Sequence, residues 1–323
     1  MSEKVTLLVN TGTPDAPDRA SVARYLSQFL DDPHIMGMPD AVRSALVNKV
    51  IVPGRAGGSS ARYQQLWDDH DGGSPLLQHG QRLADALSDA LGHRVLQVMR
   101  YGNPGVDAVA DQLAEDAEIN VVPLFPQMSY SNYVSAAEHV VDGLRRRLPG
   151  AQLRLLDGYY AHPAFIDALA ESVRPHLRED HDLIVASFHS IPVEHQVRGA
   201  REGMDYQQQC RTTAELMFEA LDVPRHKRRV TYQSAIKPMP WIKPFLEKEW
   251  PVWFKQGHQR VLVTCPGFAV DCLETVYDIG DTLGDKFRAA GGTEWKLVPA
   301  LNDQPHWVAA LARIIESDLL RAL

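Results

Sequence analysis

The chain of 323 residues is 45% hydrophobic and carries a formal net charge of -8, which suits one large α/β domain or two medium ones and gives no sign of disorder. That acidic balance excludes a general nucleic-acid binder, because neutralising phosphates needs a basic surface. Three cysteines, Cys210, Cys265 and Cys272, offer neither a disulfide framework nor a compact zinc pattern, and an iron–sulfur cluster, which usually needs four thiolates, is not expected.

The opening Met-Ser-Glu-Lys-Val-Thr-Leu-Leu-Val-Asn is too short an apolar run for a signal peptide or a membrane span, so a cytoplasmic chain is expected. A first strand is predicted at Val5–Asn10. An apolar segment with amphipathic spacing follows at 35–53. Three more strands are predicted at Val95–Met99, Asn120–Leu124 and Gln152–Leu156, with helices over 104–117 and 133–148. Arg145, Arg146 and Arg147 close the second of these helices and read as a solvated face favoured by the helix dipole. A helical stretch His162–Leu177 leads to a second group of strands at Leu183–Phe188, Arg229–Tyr232, Arg260–Cys265 and Trp295–Val298, with helices over 204–222, 241–256 and 271–290 and a final helix over 304–322.

This alternation implies parallel sheets with crossover helices. The chain therefore reads as two doubly wound halves, each with a four-stranded parallel sheet: residues 1–155 and 156–303, with 304–323 packing back on the body. Ligands of such sheets bind beyond the carboxyl ends of strands. Four polar, Pro- or Gly-rich stretches fall at those ends, at 10–14, 99–104, 187–192 and 265–274, and are expected to converge at one cleft between the halves.

His189 follows the strand Leu-Ile-Val-Ala-Ser-Phe and precedes a turn, where an imidazole can take a proton near neutral pH or ligate a metal. Asp271, Glu274 and Asp278 are spaced to share one stripe of a helix. Like charges so arranged repel unless a cation or proton visits them. A dipole-favoured acidic first turn is the plain alternative.

The motifs Ser-Phe-His-Ser-Ile-Pro at 187–192 and Cys-Pro-Gly-Phe-Ala-Val-Asp-Cys-Leu-Glu-Thr at 265–275 resemble those of ferrochelatases, which insert ferrous iron into a porphyrin. The likeness covers nearly the whole chain. It includes Leu-Val-Asn-Thr-Gly-Thr-Pro at 8–14, Phe-Leu-Asp-Asp-Pro at 29–33, Met-Arg-Tyr-Gly-Asn-Pro at 99–104, Tyr-Gln-Ser at 232–234, Pro-Met-Pro-Trp at 238–241 and Leu-Asn-Asp at 301–303. Each is weak alone, but their order and spacing are specific.

The resemblance implies two Rossmann-like halves with a porphyrin cleft between them. It implies His189 and Glu274 as the catalytic and metal-handling pair, Asp271 and Asp278 as a proton or metal relay, and Thr11, Arg100, Tyr101, Trp241 and Phe268 as substrate-binding residues. Trp241 and Phe268 also read as ordinary packing, and Arg100 as a structural ion pair. The implied partners are protoporphyrin IX and ferrous iron, the iron as substrate, with no permanently bound cofactor and a monomer or weak homo-oligomer. In ferrochelatases the segment matching 35–53 is a mobile apolar lip, which can also rest on a membrane surface; a buried helix is the alternative.

Some positions depart from the family pattern. Residues 235–240 lack the Arg-Phe-Gly-Arg-Glu of many bacterial members, Cys272 stands where other branches carry histidine, and Phe125 replaces a common tyrosine. Thr11 is neither the tyrosine of the coproporphyrin branch nor the small or aliphatic residue of the protoporphyrin branch, and Asp-Cys-Leu-Glu-Thr beside it favours protoporphyrin. Coproporphyrin insertion, a cobalt or nickel chelatase of the same architecture, and a catalytically silent porphyrin- or haem-binding homologue remain the alternatives.

Overall fold

The computed structural model describes residues 2–235 and 239–323. Residues 236–238 of the divergent loop 235–240 lie outside the described residues. Nine strands are present among the described residues: β1 (Lys4–Thr13), β2 (Arg94–Gly102), β3 (Glu118–Pro123), β4 (Gln152–Leu156), β5 (Leu183–His189), β6 (Arg228–Gln233), β7 (Arg260–Thr264), β8 (Glu294–Leu297) and β9 (Leu320–Ala322). They divide between two compact units.

The first unit comprises residues 1–124, 130–157 and 315–323. Its sheet has the order β2-β1-β3-β4-β9, parallel except for the last pair. The expected four-stranded parallel sheet is therefore extended by an antiparallel edge strand, and the helix expected over 304–322 ends at Ile315. Residues 319–323 are good helix formers by propensity. They pair with β4 because Leu323 N–H donates to the Leu153 carbonyl at 3.0 Å and Asp157 N–H to the Leu319 carbonyl at 3.0 Å, which satisfies an otherwise open edge.

β1 and β2 also run further than predicted, staying in register to Gly12 opposite Tyr101 and Thr13 opposite Gly102. Thr11, Arg100 and Tyr101 thus lie within strands rather than beyond their ends. Gly12 makes this close pairing feasible: its φ is +106°, and a Cβ there would stand 1.8 Å from the Tyr101 carbonyl oxygen.

Within the segment 35–53 the chain is helical from residue 40 onward: helical stretches Asp40–Leu46 and Val47–Ile51 lead into the helix Val52–Asp68. Val47 and Val52 are buried with Leu30 against Leu26, Phe29, Ile35 and Met36, whereas Val42 and Val50 are 57% and 62% exposed. No helix among the described residues is long and apolar enough to cross a membrane.

The second unit comprises residues 125–129 and 158–314. Its sheet order is β6-β5-β7-β8, all parallel. β5 is fully buried from Leu183 to Phe188, as expected of a central parallel strand covered on both faces. One face packs Leu183, Val185, Val261 and Val263 against Leu246, Trp253, Ile279, Leu283 and Phe287. The chain leaves β5 for β6 on one side and returns past it to β7 on the other, so the strand order reverses between β5 and β7. Crevices for ligands open at such a reversal, beyond the strands' carboxyl ends. His189 ends β5, and the loop 265–272 follows β7.

Candidate active site

His189 is half-buried at the tip of β5. Its ring Nδ1 lies 2.5 Å from the Ser190 carbonyl oxygen. A carbonyl only accepts, so Nδ1 carries the hydrogen and Nε2 presents its lone pair. The carbonyl that sets this tautomer is itself held: Ser190 N–H donates to the Gln233 carbonyl at 2.8 Å, and Ser190 Oγ donates to the Ile242 carbonyl at 2.9 Å. The Tyr206 hydroxyl donates to the His189 carbonyl at 2.9 Å.

Two aromatic rings flank the imidazole, Trp241 at 6.3 Å and Phe268 at 6.4 Å between centroids. Trp241 owes its position to an antiparallel bridge with Pro192, supported by Ile242 N–H donating to the Ile191 carbonyl at 3.0 Å. Phe268 closes a turn after β7, its N–H donating to the Cys265 carbonyl at 3.0 Å. Burial pushes the His189 pKa down, and the charge of Glu274 and the bond to Ser190 oppose that fall. The result is an imidazole neutral at pH 7 within electrostatic reach of a carboxylate.

Glu274 lies in the first turn of a wide, π-type helix, Leu273–Leu283. Its carbonyl accepts from the Gln233 side-chain amide at 3.2 Å. Cys272, in extended conformation, caps this helix: its side chain accepts the Thr275 N–H, and Thr275 Oγ1 accepts the Cys272 N–H at 3.0 Å. Burial pushes the Cys272 thiol well up, and the neighbouring Glu274 adds to the shift. Asp278 is half-buried on the same helix.

Asp271 does not join the predicted stripe. It precedes the cap, is 6% exposed, and accepts from the Thr275 hydroxyl at 2.8 Å, the Asn302 amide at 2.8 Å and Ala300 N–H at 3.1 Å.

In the first unit, Arg100 and Tyr101 converge on Asp32, which is 2% exposed. Arg100 Nη2 reaches Asp32 Oδ2 at 2.5 Å, the Tyr101 hydroxyl donates to it at 2.7 Å and Ser135 Oγ at 2.6 Å. His34 N–H donates to Oδ1 at 2.6 Å, and the His34 ring bridges Asp32 at 3.2 Å and Glu138 at 3.2 Å. Burial would raise the Asp32 pKa, but bonds from His34, Ser135 and Tyr101 and the charge of Arg100 hold it well below the usual carboxylate range. The bond to Asp32 raises His34, against the effect of burial. Burial and the Asp32 charge raise Tyr101. Thr11 is half-buried, its N–H donating to Asn10 Oδ1 at 2.8 Å.

His189, Glu274, Trp241 and Phe268 are thus assembled within the second unit, while Arg100 and Tyr101 belong to a buried polar network of the first. Sequence reasoning missed Asp32, His34, Ser135, Gln233 and Asn302 as members of these networks. Three of them stand in motifs already quoted, Phe-Leu-Asp-Asp-Pro, Tyr-Gln-Ser and Leu-Asn-Asp. Among the described residues, no group of three or more His, Cys, Asp or Glu side chains is arranged to hold a metal ion.

Two parallel-rich doubly wound sheets, with a histidine at the switch point of the second, define a protein of chelatase-like fold. Solved structures share that architecture: SirB from Bacillus subtilis with Fe3+ superposes with a TM-score of 0.56 at 11% identity, covering 97% of this chain and 94% of that one. DR2241 from Deinococcus radiodurans gives 0.51 at 15% identity, over 100% of this chain and 58% of that one. The ferrochelatase family model matches residues 4–319, and the chain belongs to that family. It is 33% identical over 333 residues to the ferrochelatase of Porphyromonas gingivalis, covering 98% of this chain and 96% of that protein. It is 35% identical over 338 residues to that of Pseudomonas fluorescens, covering 98% of each. It is accordingly a porphyrin metallochelatase, with ferrous iron as its metal substrate.

Proposed function

We propose that the porphyrin is protoporphyrin IX and that His189 and Glu274 carry the proton and metal chemistry. The free-base ring holds two N–H protons, so ferrous iron enters as both protons leave: one ferrous ion replaces two protons and charge is conserved. The observation that carries this reading is the bond from His189 Nδ1–H to the Ser190 carbonyl, which leaves Nε2 as a lone-pair donor at the end of a rigid strand. An imidazole kept neutral by burial is ready to accept a pyrrole proton at pH 7, and the Glu274 carboxylate stabilises the imidazolium that forms.

Trp241 and Phe268 supply apolar surface suited to a macrocycle, and binding it bent would bring the substrate part-way to its transition state. Glu274 and Asp278 offer the onward path for protons or hydrated iron, with imidazole and carboxylate both suited to a ferrous ion. Asp271, fully engaged by donors, holds the start of that path. In the first unit, Asp32 orients Arg100 and Tyr101. The exposed Val42 and Val50 support peripheral membrane contact through residues 35–53.

The test is anaerobic incubation of the protein with ferrous iron and protoporphyrin IX, and separately with coproporphyrin, followed by porphyrin absorbance. Metal insertion into protoporphyrin that is lost in His189→Ala and Glu274→Gln is the expected result. Tight porphyrin binding without insertion by the unmodified protein would overturn the reading in favour of a silent homologue.

A further inference from the structure

Leu301-Asn302-Asp303 has no part in the chemistry above, yet Asn302 is 4% exposed and holds a left-handed backbone with φ +49°. A residue with a Cβ keeps that conformation when local bonds compensate, which asparagine makes more readily than most. Three polar groups of Asn302 converge on the segment ahead of Glu274. Its N–H donates to the Ala269 carbonyl at 2.9 Å, its Oδ1 accepts Asp271 N–H at 2.9 Å, and its Nδ2 donates to Asp271 Oδ2 at 2.8 Å.

Asp271 passes the constraint on. Its Oδ1 accepts the Thr275 hydroxyl at 2.8 Å, and Thr275 Oγ1 in turn accepts Cys272 N–H at 3.0 Å. Glu274 stands between those two capping residues in sequence, on the turn that this chain of bonds from Asn302 fixes. We infer that Asn302 is a positioning residue for the Glu274 carboxylate, acting through Asp271 and Thr275; this rests on the reading of Glu274 given above.

The titratable groups facing this chain of bonds are Asp271, Glu274, Cys272 and Cys265, with His189 acting on it through the charge of Glu274. Both thiols are pushed up by burial and stay neutral near pH 7. Asn302→Asp would therefore set a second carboxylate against Asp271, with one proton shared at low pH and repulsion once it leaves.

Three variants and one control test the inference. Asn302→Gly keeps the left-handed backbone without strain and removes the amide. It is expected to fold, to hold KM for porphyrin within about twofold and to lose about tenfold in kcat, the effect of a misdirected catalytic group. In Asn302→Asp the loss of kcat should deepen as pH rises. The exchange variant Asp271→Asn with Asn302→Asp restores an amide–carboxylate pair, and should recover kcat at least about threefold and abolish the new pH dependence. Glu274→Gln runs in parallel. If it retains unmodified kcat, the Glu274 reading fails and the inference falls with it. If it is inactive while Asn302→Gly keeps full kcat, or Asn302→Asp shows the unmodified pH profile, or the exchange variant keeps the pH dependence of Asn302→Asp, the inference alone is overturned. Should Asn302→Gly not fold, the pH profiles of the other two decide.

Discussion

The side-chain amide of Gln233 donates to the backbone carbonyl of Glu274 at 3.2 Å, while its own backbone carbonyl takes the N–H of Ser190 at 2.8 Å. One buried residue of β6 therefore braces both the carboxylate-bearing turn and the carbonyl that sets the His189 tautomer. Gln233→Leu should leave that carbonyl of Glu274 without its partner, costing about 1–3 kcal/mol of stability and about tenfold in kcat through misalignment. Chemical denaturation and steady-state kinetics check the two effects separately. An unchanged kcat with lowered stability would reduce Gln233 to a packing role.

The lowered pKa of His189 has a signed consequence for stability. Between its folded pKa and its unfolded value of about 6.5 the unfolded chain binds more protons, so stability contributed by the neutral ring is present above that window and lost as pH falls through it. His93, His139, His162, His176 and His181, also lowered by burial, slope the same way, and His34 slopes the opposite way, so the comparison is differential. His189→Asn should lose less melting temperature than the unmodified protein between pH 7 and pH 5; parallel curves would contradict the assignment.

Removing the acid at the centre of the first unit's network should be costly. Asp32→Asn leaves the Arg100 guanidinium without its counter-charge in a setting where Asp32 is 2% exposed, and breaking a buried pair from one side costs about 3–5 kcal/mol. The raised His34 pKa belongs to the same pair, so its contribution is present below about pH 6.5 and lost as pH rises through the raised folded value. Denaturant unfolding at pH 6 and pH 8 should show a larger mutant deficit at pH 6.

Val42→Glu and Val50→Glu replace side chains that are 57% and 62% exposed. Such changes should alter stability by less than about 0.5 kcal/mol and weaken flotation with liposomes. Equal flotation of mutant and unmodified protein would remove the membrane role from residues 35–53.

Gly12→Ala should be among the most damaging small substitutions. The new methyl group would stand 1.8 Å from a carbonyl on β2 and sit at φ +106°, so the β1–β2 register must break to admit it. A loss above about 3 kcal/mol, read as absent soluble protein or a collapsed melting transition, is expected.

The two-sheet architecture was legible because its buried parallel strands are short runs rich in Val, Ile and Leu, separated by helical periodicity. His189 was legible by its place after such a run. β9 was not, since Leu320-Arg321-Ala322 has no strand signature and is ordered by the open edge of β4. The stripe of acids failed for a related reason: Cys272 is extended, so helical spacing does not begin until Leu273 and Asp271 turns away to Asn302. Partners such as Asp32 with Arg100, 68 positions apart, leave no periodic trace in a single sequence.

Because β9 is contributed by residues 320–322 while β4 ends at Leu156, the first sheet cannot be finished in the order in which it is begun. During synthesis its first four strands leave the ribosome early, and the flank of β4 stays open until residues 158–314 of the second unit have followed. A nascent chain stalled anywhere in that interval presents an unpaired strand edge, the kind of surface on which neighbouring chains add.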